Sequence, residues 1–236
     1  MIGVRRSMDR GHVNMGWLDS YHSFSFGHYY DPKFMGFGPL RVINEDRIEA
    51  GAGFPMHSHS NMEIVTYVIE GELEHRDSLG SGSIIRPGEV QRMSAGSGIH
   101  HSEFNPSDRD PVHLLQIWIL PDEDGGIPGY EQALVSVLSD DAGLTLIASK
   151  HGGSPLKINA STDVYAAQMS RGDIVSHSLH SGGGVWVQVI SGTLEIEGAI
   201  LDSGDGAAVT DTKSISLLAT GDSHLILFDI LRLKPS

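Results

Sequence analysis

The feature that most narrows what this 236-residue chain can fold into is a strand-turn-strand unit that occurs twice. Ile64-Val65-Thr66-Tyr67-Val68-Ile69-Glu70-Gly71-Glu72-Leu73 and Val185-Trp186-Val187-Gln188-Val189-Ile190-Ser191-Gly192-Thr193-Leu194 each run apolar, turn at a glycine and begin a second strand. Placing Gly192 on Gly71 implies an internal duplication of about 120 residues. Similar punctuation surrounds each copy. In the first half Ile64–Glu70 and Glu72–Arg76 read as a strand and its return, Ser83–Arg86 runs into the turn Pro87-Gly88, and Val112–Leu120 stops at Pro121. A Gly-, Pro- and Asp-rich connector comes after it, 121–155, with Tyr130–Leu138 and Leu144–Ser149 as its strands. Beyond it come Val164–Ser170, Val185–Ile190, Thr193–Glu197, Gly206–Val209, Ser214–Leu218 and His224–Leu231. Strands this short and this evenly spaced indicate an all-β sandwich or barrel.

Composition removes several chemistries. With no cysteine there are no disulfides, thiolate metal sites or cysteine nucleophiles. A formal charge of −14 without a basic cluster disfavours direct nucleic-acid binding, which relies on neutralising phosphates. Met1-Ile2-Gly3-Val4-Arg5-Arg6 leads into polar residues and not into the apolar run of a secretion signal. The longest apolar stretches have strand length, so the expectation is a soluble, cytoplasmic protein with no membrane association. The segment 1–49 is rich in aromatic residues, among them Trp17, Tyr21, Phe24, Phe26, Tyr29, Tyr30, Phe34 and Phe37. They read as cover for a core, or as the mouth of a pocket for a flat ligand.

The residues with the most chemistry are His57-Ser58-His59 and His101-Ser102-Glu103. On a strand, residues i and i+2 project from one face. His57 with His59, and His101 with Glu103, can thus each present two donors to one point. Imidazole with carboxylate is a donor set for a first-row divalent metal, and a centre with open positions is catalytic. Glu63 is a competing carboxylate. His100 should face away from its neighbour His101. His12, His22, His28, His75, His113, His151 and His224 lack such pairing and read as structural. In the duplicated register Ser178 falls opposite His57, His180 opposite His59 and Gly184 opposite Glu63, and there is no His-x-Glu pair downstream. The second half is therefore expected to keep the fold without the metal, with His177 and His180 as surface or packing residues.

Gly51-x5-His57-x-His59-x3-Glu63, running to Gly71, resembles the first motif of cupins, with Glu63 one position early. Gly88 through His101-x3-Asn105 resembles the second, with about two extra residues before the histidine. Over essentially its whole length the chain resembles the pirins, a bicupin family. The resemblance is carried by Gly11-His12-x-Asn14, Trp17-Leu18-Asp19-Ser20, Phe24-Ser25-Phe26, Tyr30-Asp31-Pro32, Met35-Gly36-Phe37, Met93-Ser94-Ala95-Gly96 and His100-His101-Ser102-Glu103-x-Asn105, besides the first histidine motif. It implies two tandem antiparallel cupin barrels, residues 1–125 with the metal and residues 126–236 without. It also implies His57, His59, His101 and Glu103 as ligands. Ordinary cupins would use Glu63. The early position of Glu63 and the i, i+2 geometry of His101 and Glu103 favour Glu103.

The N-terminal block is most similar to bacterial pirin-like proteins described as quercetin 2,3-dioxygenases. That resemblance implies a metal-dependent cleavage of flavonols by dioxygen, with carbon monoxide released. Glu103 would take the substrate proton, or Glu63 from behind the ligands. Iron(II) is the metal so implied, although nickel, cobalt, manganese, copper or zinc suit the same donors. A different class of function is also known among pirins, a redox-sensing regulator that acts through protein partners. An accessible cavity beside the metal would distinguish the enzyme.

Overall fold

The alternation of buried and exposed positions along each strand sets the architecture, seen here in a computed structural model that describes residues 1–135 and 143–233. Along Leu18–His22, Leu18, Ser20 and His22 are buried while Asp19 and Tyr21 are less so. Period-two burial closes strands into layers with a filled interior. The chain forms two compact units.

One unit comprises Gly11–Val135 with Pro155–Ala160. Its larger sheet has the order Gly129–Leu134, Glu89–Ser94, Glu63–Glu70, Val112–Ile119, Leu40–Ile48, Leu18–His22 and Gly11–Asn14. Its smaller sheet has the order Gly53–His59, Ile99–Phe104, Leu73–Asp77 and Gly82–Ile85. All the strand pairs are antiparallel. Leu18, Ile48, Val68, Leu73, Ile85, Val112 and Leu114 pack as a buried cluster, with Trp17, Ala52 and Phe54 against it. A second buried cluster, Ile64, Met93, Ala95 and Ile99, has Met62 and Trp118 packed against it.

The other unit repeats this plan. Its larger sheet includes, in order, Gly206–Thr210, Gly184–Ser191, Ser223–Ile230, Thr162–Met169 and Thr145–Ser149, and its smaller one runs Ile174–Ser178, Ser214–Ala219, Thr193–Ile196, Ala199–Asp202. Glu63–Glu70 and Gly184–Ser191 hold equivalent places, as the duplicated motif requires. Gly71 and Gly192 both take positive φ, 78° and 83°. The interior of this second unit is apolar, lined by Val185, Val187, Val189, Leu194, Leu217, Leu225 and Leu227. Ile2–Arg5 pairs with Gly206–Thr210 as an edge strand of this unit.

The all-β expectation holds, and the structure adds strands at Ile2–Arg5, Gly11–Asn14 and Leu18–His22. The expected strand Tyr130–Leu138 is found as Gly129–Leu134, and its last three positions lie outside the described residues. Among the described residues the helical element is the short 3-10 turn Ser7–Asp9, and no helix is long and apolar enough to cross a membrane.

Candidate metal centre

Two neighbouring strands of the smaller sheet carry the candidate ligands. Gly53–His59 pairs with Ile99–Phe104 so that His57 lies directly opposite His101. The register then shifts between His101 and Glu103, bringing Glu103 opposite Phe54. Gly53 permits this bulge. A Cβ there would stand 2.2 Å from the Glu103 carbonyl oxygen and 2.5 Å from the Phe104 Cα, closer than any side chain could sit.

The three imidazoles converge. Ring centroids are 4.4 Å apart for His57 and His101, 4.7 Å for His57 and His59, and 4.9 Å for His59 and His101. One donor nitrogen from each lies within 4.8 Å of the other two. His101 is buried, and neither of its ring nitrogens has a hydrogen-bond partner. With no protein group on either nitrogen, His101 has a ring nitrogen free to ligate a metal ion. His57 Nδ1 meets the Pro55 carbonyl oxygen at 2.8 Å, which leaves Nε2 as the metal-facing atom. Burial, and the nearness of His57, hold His59 down to about 4. Burial first, then His57, His59 and His75, push His101 down to about 2. His59 and His101 are thus held as neutral imidazoles, the form that binds a cation. The donor set therefore fits a divalent first-row metal.

Glu103 is buried beside His101. It groups with His101 and His75, whose donor atoms and its own all lie within 4.8 Å. Gln91 Nε2 donates to its Oε1 at 3.0 Å, Gln116 Nε2 donates to Oε2 at 2.7 Å, and the Thr66 hydroxyl stands 3.5 Å from Oε1. Desolvation, opposed by the Gln91 hydrogen bond and reinforced by the Asp46 carboxyl, raises Glu103 to about 7.

Glu63 faces elsewhere. Its neighbours on the strand, Ile64 and Thr66, project toward the centre, whereas Glu63 accepts hydrogen bonds from Ser94 Oγ at 2.8 Å and Asn159 Nδ2 at 3.2 Å. His100 is exposed, as its alternation requires. His75, His22 and His28 depart from the reading as merely structural. His75 stacks on Tyr130 at 4.7 Å and lies 5.3 Å from His101, and His22 and His28 line the cavity beside the centre. In the second unit His177 Nε2 meets the buried Asp229 Oδ2 at 2.8 Å.

The centre opens into a cavity of about 400 Å³. Trp17, Phe26, Phe54 and Trp118 supply its aromatic walls, and His57, His59, His101 and Glu103 border it. The aromatic-rich N-terminal segment thus serves both purposes, since Phe24 is buried in the interior while Trp17 and Phe26 face the cavity. The same wall carries Ser20, Asn44, Asp46 and Gln116, which sequence reading did not single out. Desolvation, opposed by the Ser20 hydrogen bond, raises Asp46 to about 7.

Comparison with known proteins agrees with this arrangement. The pirin family profile matches residues 3–119, and a profile described as the quercetinase C-terminal cupin domain matches residues 146–230. The chain is 46% identical over 230 residues to the quercetin 2,3-dioxygenase of Escherichia coli (strain K12), covering 98% of this chain and 99% of that protein. It superimposes on the crystal structure of the bacterial pirin YhhW from Escherichia coli in complex with nickel(II) with a TM-score of 0.93 at 46% identity, over 100% of both chains. The protein YhaK from Escherichia coli gives a TM-score of 0.74 at 29% identity, over 93% of this chain and 97% of that one. Two cupin units, one with a histidine-rich centre, and near full-length identity at this level establish that the chain belongs to the pirin family.

Proposed function

We propose that the protein is a metal-dependent dioxygenase that opens the heterocyclic ring of flavonols such as quercetin across its 2,3 bond and releases carbon monoxide. In this reading iron(II) is held by His57, His59, His101 and Glu103. One observation carries the proposal: a buried His101 with two unpartnered ring nitrogens stands beside His57 and His59 at the wall of a cavity of about 400 Å³. The names of the relatives, and the nickel(II) bound by one of them, support the same reaction class and a divalent ion. A bound divalent ion supplies Lewis acidity toward a substrate oxygen and open positions for further ligands.

The protein's own groups do the rest. Trp17, Phe26, Phe54 and Trp118 present flat apolar surfaces that hold a fused aromatic ring and exclude water. Glu103, once released from the ion, would take the proton of the 3-hydroxyl at Oε1, the oxygen held by the longer contacts from Gln91 and Thr66. Gln116 holds Oε2 at 2.7 Å and so keeps the carboxyl oriented throughout. A regulator that senses redox state through a protein partner needs no such cavity, and the cavity favours the enzyme.

Aerobic quercetin turnover by iron(II)-reconstituted protein tests this, read as absorbance loss together with carbon monoxide. Carbon monoxide from the wild type, and a loss of about 100-fold or more in Glu103→Ala, are expected for removal of a general base. Absence of carbon monoxide at full iron occupancy would sink the enzyme reading.

A further inference from the structure

The cavity has a polar patch that the chemistry at the metal does not use. Asn44 and Asp46 lie on the strand Leu40–Ile48 two residues apart, so both project from its inner face. Each is only 3% exposed, yet each borders the cavity. Neither falls in a group of potential metal ligands. Asp46 Oδ1 accepts a hydrogen bond from the Ser20 hydroxyl, while among the described residues none is donated to Oδ2. Asn44 Oδ1 meets His22 Nδ1 at 2.8 Å, which leaves the amide Nδ2 as a donor. Ser20 Oγ in turn stands 3.4 Å from His22 Nδ1, so Ser20 and His22 together fix both side chains.

Asp46 Oδ2 and Asn44 Nδ2, on residues that border the cavity, are thus an acceptor and a donor available to a ligand there. We propose that Asp46 and Asn44 form a recognition subsite for two adjacent hydroxyl groups on an aromatic ring, that is, for the catechol edge of a ligand whose other end reaches the metal. Positions i and i+2 of a strand are roughly 6.8 Å apart. With a hydrogen bond of about 2.8 Å at each end, two neighbouring phenolic hydroxyls bridge that interval, one donating to Asp46 Oδ2 and the other accepting from Asn44 Nδ2. A ring with one hydroxyl leaves one partner unsatisfied, and a bare ring leaves both. Sites built to hydrogen-bond a hydroxyl discriminate strongly against analogues that lack it. This assignment rests on the flavonol reading of the cavity and specifies which flavonols it prefers.

The test is a binding titration of nickel-loaded protein under anaerobic conditions, read by quenching of tryptophan fluorescence. The probes are flavonols whose pendant ring carries two adjacent hydroxyls, one hydroxyl or none (quercetin, kaempferol and galangin). The wild type should bind the dihydroxy compound about tenfold or more tighter than the unsubstituted one, with the monohydroxy compound between. Asp46→Leu should bring that ratio to within about twofold. If Asp46→Leu fails to fold by circular dichroism, Asn44→Ala takes its place, with loss of the dihydroxy over monohydroxy preference expected. Equal affinities in the wild type, or an undiminished preference in a folded variant, would overturn the subsite. Discrimination without any carbon monoxide from quercetin would leave the subsite standing and remove the dioxygenase. Carbon monoxide without discrimination would do the reverse.

Discussion

His101 is the residue whose environment makes least sense without a cation. It is buried between His57, His59 and His75, and burial together with those neighbours makes its protonated form inaccessible. Two lone hydrogen-bonding atoms in a closed interior cost about 1–3 kcal/mol each unless something binds them. His101→Ala should therefore abolish metal retention, measured as metal per chain after dialysis, while circular dichroism shows an intact barrel. Retention of a full equivalent would mean that another set of residues holds the ion. This triad was legible in the sequence because His-x-His and His-x-Glu announce the strand period in the identity of the residues themselves. Asp46, Asn44 and Ser20 announce nothing. Each is a single polar residue on a strand, and a polar residue there ordinarily marks the solvent face. Their inward direction emerges only once Leu18 and Ile48 are known to be core. His75 was read as structural for the same reason, since its nearness to His101 arises from pairing between separate strands, in which Glu103 faces His75.

Among the elements, the strand Gly53–His59 determines how well the centre is assembled. It delivers two imidazoles, and it reaches its partner strand through a glycine where any Cβ would collide with the Glu103 carbonyl. Gly53→Ala should force the two strands apart at the bulge. Overpacking of this kind costs about 1–3 kcal/mol. Urea unfolding should report that loss, and metal affinity should fall with it because His57 and His101 no longer face each other. An unchanged urea midpoint together with unchanged affinity would show that the bulge absorbs the extra methyl group. In the larger sheets Glu63–Glu70, Val112–Ile119, Gly184–Ser191 and Ser223–Ile230 were readable from their apolar runs, whereas Glu89–Ser94 was not. Leu18–His22 was not, because its inner Ser20 and His22 are polar and erase the alternation, and neither was Gly11–Asn14, a four-residue strand with Gly11 at one of its two inner positions. Ile2–Arg5 was hidden for another reason: four residues at a sheet edge carry too little pattern to register.

For the molecule as a whole, buried titratable groups pull stability in opposite directions with pH. Burial lowers His224, in the second unit, to about 4. The unfolded imidazole takes its proton near 6.5, the folded one only near 4, so below pH 6.5 the unfolded chain binds more protons. This contribution is complete above pH 6.5 and is lost as pH falls to 4. Asp46 and Glu103, both raised to about 7 in the metal-free protein, act the other way and lose stability as pH climbs from about 4 to 7. His224→Gln isolates the first effect, lying in a different unit from both carboxyls. Compared with the wild type, the variant should gain on the order of 2 kcal/mol between pH 7.5 and pH 4.5 in urea unfolding. A difference that does not change with pH would show that His224 titrates normally. The strand Ile2–Arg5 has a consequence of a different kind. The Met1 amino group donates to the Thr210 carbonyl oxygen, 209 positions away in sequence, and the strand behind it completes the sheet of the second unit. On a ribosome these residues are made long before the strand that receives them. They have no partner strand while the metal-binding unit is synthesised, and this edge of the second unit's sheet can form only when Gly206–Thr210 has emerged.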